Sequence, residues 1–98
     1  MAFPQDQFPK EIYHLSNTVE AEAPAGTHFF AVLCLADGAI TVKGDGASVY
    51  KVNQSNNGYE DASTSGTSIT MSGGQIIYGK FSSVQCDASA TAVAYVSR

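Results

Sequence analysis

Apolar residues along this chain recur at every second position in short runs, separated by Gly- and Asp-rich turns about ten residues apart. Alternation of period two sends side chains to opposite faces of a strand, whereas an amphipathic helix needs apolar residues at i, i+3, i+4 and i+7. No window sustains the helical spacing with a cap, and the one helix-leaning piece, residues 18–25, is broken by Pro24 and Gly26. The rhythm predicts an all-β domain: a single antiparallel β-sandwich or barrel, jelly-roll-like, of seven to eight short strands. With 98 residues the chain has room for one domain and one modest core.

The expected strands follow from the runs. Ile12–Glu20 alternates throughout. His28–Ala36 (HFFAVLCLA) is apolar on both faces, as a central strand would be. Asp37-Gly38 then reads as the turn of a hairpin into Ala39–Lys43. Gly44-Asp45-Gly46 turns the chain into Ser48–Val52, and residues 53–68 (NQSNNGYEDASTSGTS) read as a long polar loop with Tyr59 as its single aromatic. Thr67–Ser72, Gln75–Cys86 and Thr91–Ser97 complete the set. In Gln75–Cys86, Ile77 and Phe81 share a parity that Val84 and Cys86 do not, and this phase change predicts a β-bulge near Ser82-Ser83.

Residues 1–11 stand apart as an extended N-terminal arm, with 12–98 as the β-domain. Phe-Pro occurs twice, at Phe3-Pro4 and Phe8-Pro9. Each proline fixes its own φ and holds the preceding residue extended. A stiff segment bearing two large rings is built to dock, either on its own domain or on a neighbour.

Composition narrows the chemistry. Charged residues are 14% of the chain and the formal net charge is −4, so neither clustered phosphate contacts nor an anionic membrane surface is expected as partner. The longest apolar run, Phe29–Ala36, is too short to span a bilayer. The start MAFPQDQFPKE lacks a basic stretch followed by an apolar one, so a secretory route is not expected. Cys34 and Cys86 each lie in an apolar run and are expected to be buried free thiols. His14 and His28 have no ligand-spaced companions, no Gly-x-Ser-x-Gly elbow is present, and the Gly44–Ser48 turn lacks the Gly-Lys-Ser/Thr of a phosphate loop. Scattered acids at loop ends do not demand calcium. The expectation is a protein that is not an enzyme, with no catalytic, cofactor or metal site, whose candidate partner-binding residues are Phe3, Pro4, Phe8, Pro9 and Tyr59.

The C-terminal third carries Gly73-Gly74, the pair Ile76-Ile77, Tyr78-Gly79-Lys80-Phe81, Val84 and a final Val93-Ala94-Tyr95-Val96. This arrangement, with FFAVLCLADGAITVKGDG before it, resembles small virion structural proteins of tailed bacteriophages over residues 28–98. The resemblance implies a non-enzymatic capsid decoration or cement protein, assembled in the host cytoplasm and residing in the virion. It would bind the major capsid protein or another virion protein as a homo-oligomer, a trimer or dimer. Two alternatives stand beside it: a tail, neck or fibre-base protein, and a receptor- or carbohydrate-binding module using the 53–68 loop with Tyr59.

Overall fold

A computed structural model describes residues 11–53 and 58–97 of the chain. Among them run nine strands and no helix. They are β1 (Glu11–Leu15), β2 (Glu20–Glu22), β3 (Phe29–Ala36), β4 (Gly38–Gly44), β5 (Tyr50–Asn53), β6 (Gly58–Asp61), β7 (Thr67–Met71), β8 (Ile76–Cys86) and β9 (Thr91–Val96). The main antiparallel sheet has the order β1-β9-β3-β8-β4-β7, with β2 also paired to β8, and β5 with β6 forms a separate ribbon. The fold is all-β, antiparallel and sandwich- or barrel-like, as the turn rhythm predicts.

Strand β8 joins the two halves of the main sheet. Its first residues pair with β3, through Ile76↔Leu33 to Phe81↔Phe29. Its last residues pair with β4, through Phe81↔Gly44 to Cys86↔Ile40, while Ser83, Val84 and Gln85 also hold β2. Lys43 faces Ser83 and Gly44 faces Phe81, so Ser82 is an extra residue on β8. This is the bulge expected from the phase change. It brings Phe81, Val84 and Cys86 into the same core despite their mixed parity. In β3 the register slips at Phe30 against β9, and Phe29 joins Val32 and Cys34 inside in the same way. Gly79 is required by space: a Cβ there would stand 2.5 Å from Cζ of Phe81.

Both halves contribute to one core of Phe29, Val32, Cys34, Ile40, Val42, Phe81, Val84, Cys86, Ala92, Ala94 and Val96, with Tyr13 edge-on to Phe29 at 5.4 Å. Cys34 and Cys86 are buried and unbonded to each other, and burial pushes both thiols above their ordinary pKa.

Three sequence expectations are corrected. Phe29–Ala36 and Gly38–Gly44 do not form a hairpin: both edges of β3 are taken by β8 and β9, so β4 lies on the far side of β8. Asp37-Gly38 is a crossover, pinned where Asp37 Oδ1 accepts the Gly73 N–H at 2.7 Å. Ile12–Glu20 is not one strand either. The chain reverses at Asn17 and Thr18, both at positive φ (57° and 60°), and Gln85 Nε2 holds the turn by donating to Thr18 O at 2.6 Å. Within the 53–68 stretch, Gly58–Asp61 is a strand that pairs with β5. Glu11, counted with the arm in the sequence reading, pairs with Val96 in β1; the rest of the arm lies outside the described residues.

Asp87 ties the end of β8 to the start of β4. Its Oδ2 accepts the Ala39 N–H at 2.9 Å, and its Oδ1 accepts from Ser89 N, Ser89 Oγ and Ala90 N at 2.8–2.9 Å. These donors, led by the Ala39 amide, hold the carboxyl down at about 2, against 3.8 in the unfolded chain. A carboxylate with a lowered native pKa stabilises the fold above the unfolded value and ceases to do so as pH falls through the native one. Asp87→Ala is expected to lower the melting temperature by roughly 4–8 °C at neutral pH. The gap to the parent should close as pH drops from about 4 toward 2, as thermal melts by circular dichroism would record.

Candidate functional site

The outer face of the half-sheet β1-β9-β3-β8 follows from the register. Directly opposed residues share a face, so Ile12, Tyr95, Ala31 and Tyr78 form one row across the four strands. His14, Val93, Leu33 and Ile76 form the next. Neither row contains Lys, Arg, Asp or Glu. Ile12 is 60% exposed and Tyr78 72%, Ile76 is also exposed, and Leu33, Val93 and Tyr95 are half-buried. Phe30 extends the patch, its ring 6.2 Å from that of Tyr95. A scattered exposed apolar residue means little, but contiguous apolar rows on one sheet face mark an interaction surface.

This face escaped sequence reasoning. The apolarity of Phe29–Ala36 on both sides was consistent with burial on both sides; Val32 and Cys34 lie in the core, while on the other face Ala31 is buried, Leu33 is half-buried and Leu35 is exposed. The available signal was Tyr95 and Tyr78, large amphipathic rings on the outward parity of their strands.

The ribbon is the second surface. Tyr50 opposes Asp61 and Tyr59 opposes Val52, which places Tyr50 and Tyr59 on one face. Both are exposed, Tyr59 at 79%. Lys51 and Glu60 pair on the other face at 3.5 Å, an exposed contact of small energetic weight. At the ribbon's base Val49 and Ala62 are buried, and Ala62 N donates to Val49 O at 2.8 Å. Buried Ser63 organises this base: its Oγ accepts from Ser48 N at 2.9 Å and Val49 N at 3.0 Å, and its carbonyl accepts from Gly44 N at 2.8 Å. Ser48 Oγ in turn donates to Lys80 O on β8 at 2.8 Å.

Among the candidate residues, Tyr59 is thus exposed on a ribbon rather than in a loop. Phe3, Pro4, Phe8 and Pro9 lie outside the described residues. Nothing in the described residues brings Tyr59 to the apolar face. His14 stands exposed on β1, and His28 Nδ1 lies 3.1 Å from Ser97 Oγ. No group of three His, Cys, Asp or Glu among the described residues is placed to hold a metal ion. A shallow depression lined by Pro24, Thr27, His28, Asp45 and Lys80 is open to solvent, and Asp45 and Lys80 pair within it at 3.8 Å. No described helix is long and apolar enough to cross a membrane.

No protein-family model matches the chain, and neither the curated proteins nor the solved structures contain a match to it.

Removing the Ser63 hydroxyl leaves two backbone donors at the ribbon base without their acceptor. Ser63→Ala is expected to cost about 1–3 kcal/mol. Protease cleavage near Tyr59 should accelerate more than cleavage of the main sheet, and limited proteolysis read by mass spectrometry would show an unchanged pattern if the ribbon were anchored otherwise.

Proposed function

We propose that this protein is a non-enzymatic structural component of a bacteriophage virion, a capsid decoration or cement protein that binds the head shell. The observation that carries the reading is the pair of uncharged, largely apolar rows across β1-β9-β3-β8, beside the strand into which residues 1–10 lead. A protein that caps shared junctions on a shell needs a rigid body, a contact surface of low charge and many repeats of a modest contact, whose effect multiplies with copy number. The β-body supplies the first and the outer face the second. In this reading Phe3 and Phe8 anchor the arm on the major capsid protein or another virion protein, and Pro4 and Pro9 lower the entropy lost on docking. The sequence pattern over residues 28–98 adds the resemblance to virion proteins.

A second reading rests on the ribbon. Tyr50 and Tyr59, exposed on one face of a two-stranded projection, suit stacking on a sugar or receptor. Abolition of glycan binding by Tyr59→Ala with the head-shell role absent would favour it. A tail, neck or fibre-base position differs from the head in copy number, which quantitative mass spectrometry of purified virions separates.

Each Phe, if buried at the contact, contributes roughly 1.5–3 kcal/mol by apolar transfer. Phe3→Ala with Phe8→Ala is expected to reduce capsid occupancy sharply while the melting temperature of the isolated protein stays near that of the parent. Unchanged occupancy together with a lowered melting temperature would place the arm on its own domain instead.

A further inference from the structure

An edge strand presents unpaired backbone groups, and natural sheets blunt such edges with charge, proline, bulges or extreme shortness. The described edges obey this rule, with one departure. Strand β1 carries Glu11, β2 is three residues long with Glu20 and Glu22, β5 carries Lys51 and β6 carries Glu60 and Asp61. Strand β7, Thr-Ser-Ile-Thr-Met, has no charge and no proline, and it pairs with β4 over five residues without a register slip.

The register shows which of its groups face outward. Both the N–H and the C=O of Ala39 are bonded to Asp87, on the β8 side of β4. Backbone groups alternate in direction along a strand, so Gly38, Ile40 and Val42 direct theirs to β7. Their opposites there are Met71, Ile69 and Thr67. Ser68 and Thr70 therefore point their N–H and C=O groups away from β4, and no described strand lies beyond them. Three of the flanking outward groups are already used: Gly66 N donates to Ala62 O at 2.7 Å, Ser72 N donates to Gln75 Oε1 at 2.8 Å, and Ser72 O accepts from Gln75 N at 3.1 Å. Within the strand, Ser68 and Thr70 offer two donors and two acceptors, symmetric about Ile69.

We infer that β7 pairs antiparallel with β7 of a second copy about a two-fold axis at Ile69. Ser68 then faces Thr70 of the other copy. Four hydrogen bonds form, and they use the N–H and C=O of both Ser68 and Thr70 on each edge. Ile69 meets its own counterpart as a close non-hydrogen-bonded pair, and Ser68 faces Thr70 as a favourable cross-strand pair. The two main sheets become continuous through an isologous contact. A foreign strand could satisfy the same groups, but the symmetric spacing of two donors and two acceptors between capped ends fits a copy of the strand itself. This inference gives the homo-oligomer that the sequence resemblance implies its contact, and it stands or falls independently of the virion assignment.

Sedimentation equilibrium of the purified full chain over a dilution series tests it. The expected species is twice the 10.3 kDa chain mass. In Thr70→Pro the N–H removed is one that β4 does not use, and proline is tolerated on an edge facing solvent. Two of the four hydrogen bonds are lost, and the dissociation constant should rise about tenfold or more. The double variant Ser68→Cys with Thr70→Cys, which retains the strand's N–H groups, should oxidise to a covalent dimer, because the paired Cα atoms lie within disulfide reach at about 5.5 Å. A parent chain that sediments as a monomer at every concentration would overturn the inference. So would a folded Thr70→Pro that associates like the parent, or a cysteine pair that fails to cross-link. A β7-linked dimer absent from purified virions would leave the inference standing and remove the virion assignment alone.

Discussion

The extra residue at Ser82 in β8 is the constraint on which the rest of this structure depends. Side chains along a strand alternate between faces, so a strand shared by two half-sheets can feed one core only if its parity changes where the halves meet. In β8 Ile77 and Phe81 point inward beside β3, and Val84 and Cys86 point inward beside β4. Without the bulge, Val84 and Cys86 would leave the core side of the strand and Ser83 and Gln85 would take their places. The slip at Phe30 does the same for β3, setting Phe29 with Val32 and Cys34. Gly79 completes the arrangement, since any side chain there would collide with the Phe81 ring.

The bulge was legible because it leaves a trace in one strand's own pattern. Pairing between strands leaves no such trace. Asp37-Gly38 has the composition of a two-residue hairpin turn, but whether β3 and β4 pair is decided by β8 and β9, which occupy both edges of β3. The reversal at Asn17-Thr18 was hidden because a β-branched residue at positive φ is uncommon. There the turn is held by a distant side chain, Gln85. The segment around Tyr59 is so polar that it reads as a loop. Its strand is made by pairing with Tyr50–Asn53 and by the buried Ser63 at its base. Of the candidate site, Tyr59 was legible as exposed. The apolar outer face was not, because an apolar strand looks the same whether one face or both are covered.

The features on which the two proposals rest are those the core does not need. The core draws on the inward parity of β1, β3, β8 and β9, and Ile12, Tyr78 and Tyr95 on the outward parity are free to be apolar for another reason. Strand β7 likewise buries Met71 through its inward parity while its backbone edge stays open. With few charges to repel a partner, both surfaces favour contact over solvation. The same two features would be aggregation hazards in a protein meant to remain alone.

Amide hydrogen exchange by NMR tests the central role of β8 most directly. One core spanning both half-sheets requires the hydrogen-bonded amides of β8 on either side of Ser82 to open together, with protection matching that of β3 and β9. Comparable, global-limit protection for the Ile77–Phe81 and Val84–Cys86 segments is the expected result. Exchange of one segment orders of magnitude faster than the other would mean that the half-sheets fold as separate units, and that β8 does not hold them in a single core.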